Sequence, residues 1–321
     1  MKLSLFKTEF PIMLAPMAGF TDMTYRSICR EHGCDFTFTE MISAKGLKYG
    51  GKSADLMETA PNERPCGIQL FGRDPDIMAE MARRICGENK GELALIDINM
   101  GCPAPKITGN GEGSALMKEP GVAARVIEAV VKASALPVSV KFRKGWDSGH
   151  VNCVDFARMA EASGAAFVTI HGRTREQMYS GAADWEVIAE AKAALSIPVI
   201  GNGDVTGGSS AIAMRDYTGC DGIMIARGAL GNPYVFQEVK AAFAGVPYTP
   251  PSNAERLDLA IAHVRGLVAH KGPHGVIEMR KHIAYYVRGM KGASAFRTAA
   301  TLAPTAEALI DLIEEYRSSL E

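Results

Sequence analysis

Eight short apolar or β-branched runs recur along this 321-residue chain, at 12–16, 36–39, 66–71, 95–99, 138–143, 167–171, 199–202 and 222–226. Between them lie helical patterns such as 75–86, 121–133, 154–162 and 185–194. Strands alternating with helices of this length signal βαβ units and a parallel sheet. Eight units in about 240 residues match the size of a (β/α)8 TIM barrel. A doubly wound open sheet is the competing architecture, but no GxGxxG follows the first run and the even spacing of eight units favours closure. The expectation is an α/β chain with a barrel over residues 1–244.

The strand pattern stops at the turn-rich stretch 244–251, Ala-Gly-Val-Pro-Tyr-Thr-Pro-Pro. Residues 245–321 read as a small helical bundle, with helices expected at 253–270, 276–291, near 294–301 and at 305–320. In the second of these, Val276, Met279, Ile283, Val287 and Met290 form the apolar stripe, and Lys281, Tyr285, Arg288 and Lys291 the opposite face. Charge also separates the two parts. Between Ser252 and Thr301 stand eight Lys/Arg against three acids, although the whole chain carries a net charge of −1. That balance excludes a globally basic nucleic-acid binder and leaves room for a local basic patch. A charged helix face is often only a solvated face. A basic, Tyr-bearing helical appendage on an acidic barrel is also the form of a polyanion-docking module.

Seven cysteines, an odd number with no CxxC pair and no zinc-like Cys/His spacing, read as reduced thiols in a cytoplasm. No apolar run is long enough for a membrane span, and the apolar stretch within residues 1–7 is too short for a secretory leader.

In a barrel the chemistry belongs at the C-terminal ends of the strands. After the first run stand Ala15-Pro-Met-Ala-Gly-Phe-Thr-Asp22, small residues that let a flat ligand approach the backbone; a plain helix cap from Thr21 or Asp22 explains them equally. After the seventh and eighth stand Gly201-Asn-Gly-Asp204 and Ala226-Arg-Gly228, where barrels often hold a phosphate through backbone N–H groups. Arg227 adds a bidentate donor. Gln69, Asn99, Lys141, Arg143 and His171 lie in or end the inner strands. Buried amides and a lysine need partners, which a ligand with several hydrogen-bonding edges would supply, as would a structural ion pair. The longest gap, after the fourth run, opens with Asn99-Met-Gly-Cys-Pro103 and runs on to Lys106 and a Gly-rich loop. Cysteine is usually a small buried hydrophobe, and the other six are read so. Cys102, between Gly and Pro just past a strand end, suits a thiol presented to substrate as nucleophile or acid. Proton donation fits better, because an unactivated thiol is protonated at neutral pH.

These motifs together resemble the dihydrouridine synthases, most closely their bacterial B-type branch. The resemblance rests on Asn99-Met-Gly-Cys-Pro103, Ala15-Pro-Met-Ala-Gly19 with Thr21-Asp22, and Lys141-Phe-Arg-Lys-Gly-Trp146. It extends through His171-Gly-Arg-Thr-Arg175 with Gln177, Tyr179 and Ala183-Asp-Trp185, then Gly201-Asn-Gly-Asp204, and into the tail at Met279-Arg-Lys-His282. Where many members have Gly-Arg, this chain has Ala226-Arg227.

The resemblance implies an FMN-bound monomer that reduces uridines in tRNA to 5,6-dihydrouridine with NADPH. Carried over by position, it implies FMN contacts from Pro16, Met17, Ala18, Gln69, Lys141, His171, Asn202, Gly203, Asp204, Ala226 and Arg227. Cys102 would be the acid, and Asn99 would hydrogen-bond the uracil. Lys106, Arg143, Arg173 and Arg175, with Lys281, Arg288 and Lys291 of the tail, would grip the RNA. Two other classes stay open on the residues alone. One is an FMN barrel acting on a free dihydropyrimidine or enoate; the other is an RNA-binding protein without activity.

Overall fold

Seven parallel ladders join eight strands in the computed structural model, which describes Phe6 and residues 8–320. The stretch 1–7, expected to carry no leader, lies outside the described residues except for Phe6. The strands are β1 (Ile12–Leu14), β2 (Ile42–Ser43), β3 (Cys66–Phe71), β4 (Leu93–Met100), β5 (Val138–Gly145), β6 (Phe167–Thr174), β7 (Val199–Asn202) and β8 (Gly222–Ile225). Their order is β1-β8-β7-β6-β5-β4-β3-β2, the sequential order of a (β/α)8 barrel.

The ring closes through the run expected as the second strand, though not as a regular ladder. Met13 bridges Phe36 and Phe38 bridges Gly67, so residues 36–39 span the gap between β1 and β3. Backbone bonds continue it: Leu14 N donates to Phe36 O, and Thr39 N to Gly67 O. Gly67 makes this possible, since a Cβ there would sit 2.5 Å from the Phe38 ring. The regular strand β2 begins only after that run and pairs with β3.

Around the barrel pack α1 (Met23–Glu31), α2 (Ala44–Lys48), α3 (Pro75–Glu88), α4 (Pro105–Thr108), α5 (Pro120–Ala133), α6 (Cys153–Ala162), α7 (Glu186–Ala194), α8 (Gly208–Thr218) and α9 (Val235–Ala244). Strand side chains alternate between two cores. Ile12, Leu14, Ile96 and Ile98 face the helices, whereas Met13, Leu95, Phe167 and Met224 join Phe36 and Phe38 in an apolar plug inside the ring. Farther along the same inward rows the residues turn polar: Gln69 on β3, Asp97 and Asn99 on β4, Lys141 on β5, His171 on β6 and Asn202 on β7. The plug forms the floor, and these residues form the mouth.

The tail is α10 (Asn253–Lys271), α11 (His274–Tyr286), α12 (Ala293–Leu302) and α13 (Ala306–Ser318), with a separate apolar core that includes the expected Val276–Met290 stripe. Ser252 and Glu255 cap α10 reciprocally. The second tail helix is shorter than its pattern suggested. It ends at Tyr286, and Gly289 takes a left-handed φ of 82°, so Arg288 and Lys291 stand in the connection beyond it. Among the described residues all seven cysteines are free, and no helix is long and apolar enough to cross a membrane.

The tail docks on the barrel through a buried aromatic and histidine seam. Tyr25 of α1 stacks on His263 of α10 at 5.3 Å, and His263 Nδ1 lies 3.2 Å from the Tyr286 hydroxyl. Phe20 packs edge-on against His282 and Tyr285 of α11. Polar links flank it: Lys271 approaches Asp22 at 3.5 Å, and His270 pairs with Glu58 at 2.7 Å.

Candidate active site

The polar rows open into a cleft of about 1120 Å³ between the strand ends and the tail. Its walls bring together Pro16, Met17, Ala18, Gln69, Asn99, Cys102, Lys141, Arg143, His171, Asn202, Gly203, Asp204, Ala226, Arg227 and Arg288. Of the residues singled out from sequence, Lys106, Arg173, Arg175, Lys281 and Lys291 do not line it. Tyr179, Tyr248, Arg256 and Tyr285 complete the rim and were not among the candidate ligand contacts.

Cys102 is held from both sides. Asn99 Oδ1 accepts from the N–H groups of Gly101 (3.1 Å) and Cys102 (2.9 Å). The Cys102 carbonyl accepts from the Ser114 N–H and hydroxyl. Gly113 permits this approach, with φ of 59° and a notional Cβ only 2.9 Å from the Cys102 carbonyl. The half-buried thiol is pushed above its ordinary pKa by desolvation, which outweighs the Ala104 N–H and the charge of Arg143. It therefore carries its proton at neutral pH, as a donor must.

Asn99, expected to hydrogen-bond the uracil, lines the cleft and is also bonded within the protein. Its oxygen serves the Cys102 loop, and its Nδ2 donates to Gln69 Oε1 at 2.8 Å. Gln69 in turn donates to Asp97 at 2.6 Å. Asp97 is the residue that sequence reasoning missed. Its one available signal was a lone acid among the apolar residues of β4, two before Asn99.

Lys141 Nζ donates to Asn202 Oδ1 at 3.0 Å, and Asn202 Nδ2 donates to the Met224 carbonyl at 2.7 Å. Burial lowers the Lys141 pKa to about 8, with Arg143 adding to the effect and Asp97 opposing it. His171 is held well below its ordinary value by burial, then by Lys141 and the nearby arginines, so its imidazole is neutral.

Two arginines expected on the RNA backbone are buried and bonded to the protein, and Arg143 also lines the cleft. Arg143, only 3% exposed, donates to the carbonyls of Gly101, Thr174 and Met178. Arg173, 2% exposed, makes a bidentate pair with Asp204, each bond 2.8 Å. These bonds tie down loops around the mouth. Asp204 is correspondingly occupied: it also accepts from Ala183 N–H, leaving its backbone for a ligand. Burial raises its pKa most, but the bonds from Arg173 and Ala183 and the charges of Arg173 and Arg227 together hold the carboxyl below its ordinary value. Arg175 lies over the Trp146 ring at 4.7 Å, and Lys106 is exposed on α4. Lys281 sits partly exposed over the Phe20 ring at 5.5 Å, at the edge of the seam.

A flat, phosphate-bearing cofactor fits the opposite wall. Gly203 has φ of 128°, and a Cβ there would come within 2.7 Å of Ala183 and 3.2 Å of His171. A Cβ on Gly228 would sit 2.3 Å from the Val205 carbonyl. The backbone is thus bare where the loops after β7 and β8 meet. Arg227 stands beside it, its guanidinium over the Tyr179 ring at 4.9 Å and 3.4 Å from Asp204.

Comparison with known proteins agrees with this architecture. The dihydrouridine synthase (Dus) family model matches residues 13–320. A probable tRNA-dihydrouridine synthase 1 of Synechocystis is 41% identical over 288 residues, which are 89% of this chain and 80% of that protein. The tRNA-dihydrouridine synthase B of Xanthomonas campestris is 40% identical over 312 residues, 96% of this chain and 93% of its own. A probable tRNA-dihydrouridine synthase of Mycobacterium tuberculosis is 42% identical over 318 residues, 95% of this chain and 81% of its own. On the family match and on relatives aligned over most of both chains, this chain belongs to the dihydrouridine synthase family.

Proposed function

We propose that the chain reduces uridine in tRNA to 5,6-dihydrouridine, using FMN as the bound redox group and NADPH as the reductant. The observation that carries the chemistry is Cys102: a protonated, half-buried thiol on a pinned loop, facing a cleft large enough for a flavin and a base. FMN would lie along Pro16, Met17 and Ala18, with its phosphate at the bare backbone of Gly203 and Gly228 and at Arg227. When bound, it supplies the hydride that reaches uracil C6. The chain does the rest. Lys141, kept polar yet desolvated, and neutral His171 meet the ring's hydrogen-bonding edges. Cys102 would deliver the proton to C5.

A uridine inside a folded tRNA must leave its stack to enter such a cleft. Residues 1–244 would be the catalytic unit and 245–321 the RNA-docking unit. Arg288 on the rim and the exposed Lys291 and Arg297 would face phosphates.

The test is mass spectrometry of nucleosides after incubating the purified protein with FMN, NADPH and tRNA from cells lacking dihydrouridine. Dihydrouridine should form with the native chain. It should be nearly absent with Cys102→Ala, although that variant still binds FMN and lets NADPH reduce it. Full product from Cys102→Ala would remove the thiol from the mechanism. NADPH oxidation without dihydrouridine in the native chain would turn the reading to a small-molecule substrate.

A further inference from the structure

We propose that Asp97 is a positioning residue for Cys102, acting through the side chains of Gln69 and Asn99. The inference rests on the proton-donor reading of Cys102 and adds to it a residue that never touches the substrate.

The four groups form one directed chain. Asp97 and Asn99 are two apart on β4 and share its inward row, and Gln69 stands opposite Asp97 in the β3–β4 register. Ser139, opposite Asp97 on β5, donates to Asp97 Oδ1 at 2.6 Å. Gln69 Nε2 donates to Asp97 Oδ2 at 2.6 Å, and Asn99 Nδ2 donates to Gln69 Oε1 at 2.8 Å. Asn99 Oδ1 then accepts from Gly101 and Cys102.

The ends of the chain decide its direction. An ionised carboxylate only accepts, so Gln69 must turn its NH2 group toward Asp97. Backbone N–H groups only donate, so Asn99 must turn its oxygen toward the loop. Two amides between an accepting end and a donating end satisfy every contact. Reversing either amide would put two donors or two acceptors face to face in a buried site. The orientation of Asn99, and with it the seat of Cys102, is thereby set from the barrel interior. Asp97 is fully buried, and among the described residues its charged neighbour is Lys141 on β5, which faces Asn202. Neither of its oxygens is open to a ligand, which leaves it a supporting role.

The arrangement makes a prediction that a merely structural role does not share. Gln69→Glu places a carboxylate against Asp97, and the contact survives only if one proton is held between them. Uridine reduction should then fall at pH 8 by about tenfold or more and recover toward pH 6, as expected for a buried mispaired contact. Adding Asp97→Asn exchanges the two groups. The amide now on β4 donates to the carboxylate now on β3 and accepts from Ser139, and the direction toward Asn99 is restored. The double variant should lose the new pH dependence and regain most of the Gln69→Glu deficit.

Two readouts are taken side by side: dihydrouridine formed per FMN reduced, and the rate of Cys102 alkylation by iodoacetamide, with Cys102→Ala as background. Alkylation should accelerate in Gln69→Glu at pH 8 and return toward the native rate in the double variant. Equal defects in the single and double variants, with the same pH profile, would overturn the proposal. If the native chain makes no dihydrouridine, the substrate reading falls. The alkylation rates then still decide whether Asp97 seats Cys102.

Discussion

Acid should open the seam between barrel and tail, because two buried histidines there refuse a proton in the folded chain. His263 is fully buried, stacked on Tyr25 and facing Tyr286. Burial lowers its pKa from 6.5 to about 4, partly opposed by the charge of Asp22 and reinforced by Lys271. Between those values the unfolded chain binds a proton that the folded chain refuses, so stability falls as pH drops from about 6.5 toward 4. At pH 7 both states are mostly neutral. At pH 5 the unfolded imidazole is charged and the folded one is not, which costs about 2 kcal/mol at 1.36 kcal/mol per pKa unit. His282, pushed down by burial and then by His263 and two lysines, moves in the same direction. The variant His263→Phe keeps a ring against Tyr25 and cannot titrate. Urea unfolding followed by circular dichroism at pH 7 and pH 5 should show the native chain losing about 2 kcal/mol more than the variant over that interval. Equal losses in both chains would refute the assignment of acid sensitivity to this imidazole.

Other perturbations address the frame and the two proposed ligands. Arg26→Met strips a buried carboxylate of its bidentate partner: Glu63, fully buried, pairs with Arg26 at 2.8 and 3.0 Å. A loss of about 3–5 kcal/mol in denaturant stability is expected, and a loss under about 1 kcal/mol would refute the pair's structural weight. Gly203→Ala should weaken FMN binding by about tenfold or more in a fluorescence-quenching titration, since its Cβ would press Ala183 and His171 into the cleft wall. Unchanged affinity would move the phosphate site elsewhere. Reversing Arg288 and Lys291 to Glu should weaken tRNA binding and flatten its dependence on log salt by about 1–2 in slope. A native slope in the variant would return both residues to plain solvation.

Periodicity made the barrel legible because parallel strands and their covering helices bury residues at repeats that a single chain displays. The same logic failed at two ends. The run at 36–39 closes the ring by isolated bridges, a pairing decided by Gly67 and the Phe38 ring about thirty residues apart in the chain. The second tail helix continues its apolar stripe past Tyr286, and only the left-handed Gly289 stops it. The site was legible as a set of residues but less so as roles. Cys102 advertised itself through its Gly–Pro setting after a strand. Arg143 and Arg173 carry the same chemical label whether they meet a phosphate or a buried carbonyl. The groups that claim them, such as the Gly101 and Met178 carbonyls and Asp204, are supplied by loops that sequence spacing does not place.

One strand shows how floor and chemistry share a scaffold. Along the inward row of β4, Leu95 belongs to the apolar plug, Asp97 anchors a hydrogen-bonded chain, and Asn99 passes its direction to Cys102. Each step of two residues advances about 6.6 Å toward the mouth, so the row crosses from dry core to substrate cleft within a few residues. The buried carboxylate lies where a mobile loop residue could not: rigid neighbours on β3 and β5 hold both its oxygens. A thiol seated from such an anchor keeps its position without spending contacts on the open side of the cleft. That side is left to flavin and base.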